Sequence, residues 1–244
     1  MELKMTRQRI AKFLATAGIC SRRQGEEFIA AGRIKLNDQI VTTPATFVED
    51  SDVVSFDNRT VKLTGVRQVW AFYKPAECIT SRIDPEGRKT IYDILPPSFE
   101  NIRYVGRLDY LSEGLLLLTN DGALVRHLEL PIHRIPRVYY VRVYGNVRPD
   151  IVKVLAEGMT IDGIQYQGIQ AEVETSEGRN TWLKLTLLEG KNREIRNIMT
   201  YLGYKVNRLV RIGYGPFSLD DLIQGKVREV SMEVLDQYLQ KLQG

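Results

Sequence analysis

Gly106-Arg107-Leu108-Asp109-Tyr110-Leu111-Ser112-Glu113-Gly114-Leu115-Leu116-Leu117-Leu118-Thr119-Asn120-Asp121-Gly122 is the stretch from which the rest of the chain is read. Four consecutive leucines closed by Asn-Asp-Gly predict a short strand buried on both faces and ended by a turn. The polar, glycine-flanked segment before them predicts a loop. Asp109 therefore stands on a loop anchored by rigid core. That position suits a catalytic carboxylate, but a Gly-x-x-Asp turn also occurs as a turn and nothing more.

Downstream, Ala123 to Leu128 continue as a helix begun by Asn120 or Asp121 and stopped by Pro131. Arg137 to Gly145 predict a strand with Tyr139, Val141 and Val143 on one face and Tyr140, Arg142 and Tyr144 on the other. A helix over 150–156 and turns around a short strand over 158–168 follow. Strands at 170–174 and 181–188 come next, and connections too short for parallel crossovers predict antiparallel pairing. Asn192 is placed to cap a helix whose buried stripe is Ile195, Ile198, Met199 and Leu202, with Gly203 ending it. Arg196 lies at the edge of that stripe. A partly covered guanidinium needs an anionic partner, and Glu194, a phosphate or Asp109 would each serve. Strands at Lys205-Val206 and Leu209 to Ile212, and a final helix from Ser231 to Leu242, complete the chain.

Upstream, Val69 to Tyr73 form a strand stopped by Lys74-Pro75. Ala76 to Pro97 make a long polar surface excursion with a short helix or turn at Thr90 to Leu95, and its Arg82, Arg88 and Lys89 are placed to meet phosphate. Thr60 to Arg67 lack periodicity and read as a linker, which divides the chain into domains over 1–65 and 66–244. In the first, Ile10, Phe13, Leu14 and Ala17 give one helix an apolar stripe, with Gly18 placed to end it. Ser21-Arg22-Arg23-Gln24 has capping-box spacing for a second helix running to Gly32. Strand, turn and strand follow over 33–41, with another short strand over 53–56.

Charge is distributed unevenly in this module. From Lys4 to Leu36 there are eight basic residues against two acidic ones, whereas Asn37 to Asn58 hold five acidic and no basic residues. One face is thus suited to phosphates. The net charge of +4 permits a nucleic-acid partner without requiring one. No apolar run approaches the ~20 residues of a membrane span, and the basic N-terminus lacks a following apolar region, so cytoplasmic residence is expected. Cys20, Cys78, His127 and His133 are scattered without metal-ligand spacing, so no metal site is expected and both thiols read as free.

The order Ala17-Gly18, Ser21-Arg22-Arg23, then Ala31-Gly32-Arg33-Ile34-Lys35-Leu36-Asn37 resembles the S-four-type RNA-binding domain, a small α/β module. That resemblance implies RNA contact by Arg7, Arg22, Arg23, Arg33 and Lys35. Gly-Arg-Leu-Asp, the Ser-Glu-Gly-Leu-Leu-Leu-Leu-Thr-Asn-Asp-Gly run, Arg137-x-Tyr139-x-Val141, Glu189-Gly190-Lys191-Asn192-Arg193-Glu194-Ile195-Arg196 and Arg208-Leu209-x-Arg211-Ile212-x-Tyr214-Gly215 together resemble the RsuA/RluB family of ribosomal pseudouridine synthases. One departure is Leu130-Pro131, where many members carry His-Pro.

The second resemblance implies an α+β fold with a mostly antiparallel mixed sheet and flanking helices. It also implies isomerisation of uridine to its carbon-glycoside isomer in ribosomal RNA, without an added cofactor. Large-subunit rRNA is expected over 16S rRNA, and the enzyme is expected to act as a monomer on rRNA or a ribosomal assembly intermediate, with no membrane. Asp109 is implied as nucleophile, Tyr139 as the active-site tyrosine and Arg196 as the basic partner of the aspartate, with Arg107 contacting RNA or the flipped-out position. These residue types suit the chemistry. A guanidinium beside a carboxylate favours its ionised form, and an extruded base can rest on a tyrosine face. The competing class is a non-catalytic RNA-binding or assembly factor that retains the fold. A glycoside hydrolase is disfavoured, because Glu113, the acid close by, belongs to the loop motif.

Overall fold

The computed structural model describes residues 7–63 and 67–243. In the N-terminal part, β1 (Gln8–Arg9) leads directly into α1 (Ile10–Thr16), whose Ile10, Phe13 and Leu14 are buried at helical spacing. The expected capping box opens α2 (Arg22–Ala30): the Gln24 amide donates to the Ser21 hydroxyl and the Ser21 amide to the Gln24 side chain. Next come β2 (Ile34–Leu36), β3 (Gln39–Ile40), β4 (Phe47–Val48), β5 (Val54–Phe56) and β6 (Arg59–Val61). β1 pairs with β4, while β3-β2-β5-β6 make an antiparallel sheet. The segment read as linker from Thr60 therefore still holds strand to Val61; residues 64–66 of that linker lie outside the described residues. Ile10, Leu14, Ile29, Ile34, Val48 and Val54 close a core of their own.

The larger part is built on a nine-stranded sheet among the described residues. Its strands are β7 (Val69–Lys74), β8 (Arg103–Val105), β9 (Glu113–Thr119), β10 (Arg137–Tyr144), β13 (Gln170–Glu177), β14 (Asn180–Leu187), β15 (Val206–Tyr214), β16 (Phe217–Ser218) and β17 (Val227–Glu229). A separate hairpin joins β11 (Met159–Ile161) to β12 (Ile164–Tyr166). The helices are α3 (Gly122–Glu129), α4 (Ile151–Glu157), α5 (Glu194–Tyr201) and α6 (Met232–Gln243). The spatial order is β13-β14-β10-β15-β9-β7-β17, with β8 added to β9 and β16 to β15.

All seven residues of β9 are buried, as four leucines in a row require. Leu115 and Leu117 face one core, under α3 and α6, while Leu116 and Leu118 face another with Phe72, Ile91 and Leu95. Asp121 caps α3 by accepting from the Ala123 and Leu124 amides. α4 and α5 cover the β10–β14–β15 half, where Val141, Val143, Leu183, Leu185 and Leu187 meet Ile195, Ile198 and Met199.

Three expectations need correction. The two short strands read at Lys205-Val206 and Leu209 to Ile212 are one strand, β15, in which Arg208 and Arg211 answer specific partners instead of breaking the pattern. The expected mostly antiparallel mixed sheet stands: β15 runs parallel to β9 over Val210↔Glu113 and Arg211↔Gly114, and the other pairs of the described sheet are antiparallel. The excursion over 76–97 is not all surface, since Cys78, Thr80, Thr90, Ile91 and Leu95 are buried. The residue before α5 is Arg193 in the left-handed region (φ 52°), which displaces Asn192 from the cap.

Candidate active site

Asp109 lies between β8 and β9, and the backbone on both sides of it is clamped. The Thr80 hydroxyl donates to the Leu108 carbonyl (2.8 Å) and accepts from the Leu108 amide (3.2 Å). Lys74 is fully buried at the end of β7, and its ammonium donates to the carbonyls of Pro75 (2.9 Å), Asp109 (3.2 Å) and Ser112 (2.8 Å). The Ser112 amide closes the turn onto the Asp109 carbonyl (3.0 Å), and the Glu129 carboxylate accepts from the Gly106 amide (2.7 Å). Burial pushes the Lys74 pKa down. Gly114 follows where β9 meets β15: a Cβ there would sit 2.2 Å from the Arg211 carbonyl, and φ is +109°. The loop carboxylate is thus set on a frame with little freedom.

The Asp109 side chain opens into a cavity of about 520 Å³, within the usual range for a small-ligand site. Its lining includes Arg107, Tyr139 of β10, Leu187 at the end of β14, Arg193 and Arg211. Tyr139 and Arg211 are direct cross-strand partners, so both side chains stand on the same face of the sheet. The Tyr139 ring packs against two cores, and its hydroxyl makes no hydrogen bond to a described residue. Arg211 is 2% exposed, donates from Nε to the Leu115 carbonyl (2.7 Å), lies 5.2 Å from the Tyr214 ring centre, and keeps a buried Nη2 without a partner.

The carboxylate of Asp109 pairs with Arg193 at 3.9 Å. Arg196, expected in that role, instead donates to the carbonyls of Leu111 (3.0 Å) and Val206 (3.3 Å). One helical turn separates the two functions: Arg193 at the entry of α5 reaches the acid, and Arg196 ties α5 to the loop that carries it. Burial pushes the Arg196 pKa down and neighbouring Arg193 pushes it further, while Asp109 acts in the opposite sense. Arg107 is exposed at the rim and makes no ion pair with a described residue.

The loop from Glu189 to Arg193 forms another wall. Glu189 pairs with Lys191, and the Lys191 amide donates to Glu194 (2.9 Å). Burial, and then the neighbouring Glu189 carboxylate, raise the Glu194 pKa to about 7. A carboxyl with a raised folded-state pKa favours folding while protonated. The contribution is complete below the usual carboxylate range and is lost as pH rises toward 7. Glu194→Gln is therefore expected to stabilise the protein by about 3 kcal/mol at pH 8 and by little at pH 4.5, at a pKa unit for each ~1.4 kcal/mol. Thermal unfolding at the two pH values checks this, and an equal shift at both would contradict it.

Residues expected at an RNA surface are distributed differently. Arg33 is held by Asp57 (2.5 Å) and lies over the Phe28 and Phe56 rings, so its guanidinium is spent inside the module. Arg7 pairs with Glu49 at 3.6 Å. Arg22, Arg23 and Lys35 make no ion pair with a described residue. Reading the sequence overlooked Lys74, Arg193 and Arg211 as members of the site. For Lys74 a signal existed: it shares its strand face with buried Phe72, and a lysine in phase with core residues needs acceptors.

Comparison with known proteins bears on what this arrangement does. Residues 68–201 match the RNA pseudouridylate synthase family and residues 8–54 the S4 domain. An uncharacterized RNA pseudouridine synthase from Rickettsia bellii is 43% identical over 227 residues, covering 93% of this chain and 98% of its own. Ribosomal large subunit pseudouridine synthase B from Yersinia pestis is 37% identical, over 96% of this chain and 76% of its own. Among solved structures, a pseudouridylate synthase crystal structure superposes with a TM-score of 0.66 at 26% identity, covering 94% of this chain and 99% of the other.

Proposed function

Since this chain belongs to the RNA pseudouridylate synthase family, we propose that it isomerises one uridine of large-subunit ribosomal RNA, with Asp109 as the nucleophile on a nucleotide flipped out of its stack. The observation that carries this reading is Asp109 on its clamped backbone, with its carboxylate paired with Arg193 and sharing one cavity with Tyr139. The large subunit is preferred because the Yersinia pestis relative is named for it.

The reaction asks little of redox or added groups. The bond from the sugar to base nitrogen 1 breaks, and its electron pair leaves with the uracil. Asp109 acts on the sugar, by addition or by taking a proton, and the freed uracil turns within the cavity. Carbon 5 then bonds to the sugar as Asp109 is released from it, or returns the proton it took; the proton on carbon 5 is lost and nitrogen 1 takes one up, so the product is an isomer of the substrate. Tyr139 keeps the detached ring in plane, its hydroxyl facing the sugar. Leu187, Ile195 and Leu209 line the cavity and limit water at the step where free uracil would otherwise escape. Arg193 is the direct partner of the carboxylate, and Arg196 positions the loop through the Leu111 carbonyl. Arg107 meets the RNA at the rim.

On this reading the chain divides near residue 65 into an S4 module, with Arg22, Arg23 and Lys35 turned to RNA, and a catalytic domain. It works as a cytoplasmic monomer on rRNA or an assembly intermediate. The test is conversion of a transcribed large-subunit rRNA by the purified chain, read by chemical mapping of pseudouridine; no product on naked or protein-bearing rRNA would contradict the reading. Tyr139→Phe is expected to lower turnover by about 10²–10³-fold with an unchanged melting temperature, since its hydroxyl holds nothing in the fold. Wild-type turnover would remove that hydroxyl from the mechanism.

A further inference from the structure

Among the described residues, Arg67, Arg88, Arg208 and Arg228 each meet a carboxylate at 2.6–3.0 Å. A second cleft, of about 890 Å³, runs between α2 and the larger part of the chain and behaves otherwise. Arg22 and Arg23 of α2, Arg82, Arg103 of β8 and Arg126 of α3 all line it, and none of them makes an ion pair with a described residue. Glu129, the acid on its wall, is engaged by the Gly106 amide.

Arg82 and Arg103 are held firmly in this unpaired state. Arg82 lies over the Tyr92 ring at 4.6 Å and donates to the carbonyls of Glu100 and Ile102. Arg103 crosses to α1, donating from Nη2 to the Ala15 carbonyl (3.1 Å), while its Nε is buried against Gly122 with no partner. Arg22, Arg82 and Arg103 line one cleft, and burial, then Arg22 and Arg82, lower the Arg103 pKa. The partly buried Arg103 guanidinium has no counter-charge, a cost to stability that an anion would relieve, and planar forks of this kind suit phosphate. Tyr104 and Glu129 line both this cleft and the Asp109 cavity, so the two are adjacent.

We infer that Arg22, Arg82 and Arg103 form a phosphate-binding site for a backbone phosphodiester of the RNA strand that leads from the catalytic cavity to the N-terminal module. The site fixes the distance between the flipped nucleotide and the RNA held by that module. Target choice then depends on strand path as well as on the base. The inference rests on the rRNA-modifying reading given above.

Arg82→Gln and Arg22→Gln, both at exposed or partly exposed positions, test it in the full chain carrying Asp109→Asn. Affinity for the rRNA fragment is measured across a salt series. Each substitution is expected to weaken binding about tenfold near 0.1 M salt and to reduce the slope of log affinity against log salt by about 0.7–0.9. Arg88→Gln, whose guanidinium is already taken by Asp84 and Glu86, is expected to change neither. Unchanged slopes for Arg82→Gln and Arg22→Gln would overturn the site. So would calorimetric binding of inorganic phosphate that is lost in Arg82→Gln while RNA affinity stays the same, because the cleft would then serve a small free anion. Turnover of the same RNA by the wild-type chain separates the two readings. Conversion with unchanged slopes removes the site alone; changed slopes without conversion remove the function alone.

Discussion

Asp109→Asn is expected to abolish pseudouridine formation, by a factor of about 10⁴ or more, while leaving RNA affinity within about twofold. The substitution is nearly isosteric and the backbone around it does not depend on the side chain. Thr80 holds Leu108, while Lys74 and Ser112 hold the Asp109 carbonyl, which the substitution leaves in place. The side chain's ion pair, to Arg193 at 3.9 Å, is long and half-exposed, so its loss costs stability little. An amide cannot act as the nucleophile or take up a proton as a carboxylate does. Single-turnover conversion and filter binding on one RNA separate the two effects. Retained turnover would remove Asp109 from the chemistry, and lost binding with a shifted melting temperature would mean that the loop had collapsed.

Lys74→Met carries the largest expected effect on stability, about 3–5 kcal/mol, the range for removing one partner from a buried charged network. Methionine fills similar space but leaves the Pro75, Asp109 and Ser112 carbonyls without their shared donor. Those carbonyls flank the Asp109 side chain, so turnover should fall along with stability. Cys78 supplies a local readout. Its thiol is 1% exposed and donates to the Pro75 carbonyl (3.3 Å), and burial pushes its pKa up. Its modification by a thiol reagent is expected to quicken in Lys74→Met. An unfolding midpoint equal to wild type in urea would contradict the structural role given to Lys74.

Elements set by short-range chemistry were readable from the sequence. The Ser21 box, the Asp121 cap and the double-sided burial of the four leucines each depend on residues a few positions apart, and each stands in the structure. Long-range partners were not readable. β9 and β15 are joined in parallel across 97 residues, from Glu113 to Val210, and no local pattern announces that. Bulges between Val138 and Tyr139, and between Arg142 and Val143, shift the β10–β15 register, so face assignment by strict alternation does not carry across that pair. The left-handed Arg193 explains the misread start of α5. A capping signal favours Asn192, whereas the chain uses a backbone turn that turns the Arg193 side chain toward Asp109. Asp109 and Tyr139 were found through motif resemblance. The geometry then redistributed the arginines, giving Arg193 the carboxylate and Arg196 the loop carbonyl.

Nucleotide-resolution mapping of pseudouridine in rRNA tests the central claim most directly. It compares a strain lacking this protein with the same strain carrying either the wild-type gene or Asp109→Asn. One large-subunit uridine is expected to lose its modification in the deletion strain, to regain it with wild type, and to stay unmodified with Asp109→Asn. Restoration of that site by Asp109→Asn, or an unchanged map in the deletion strain, would contradict it.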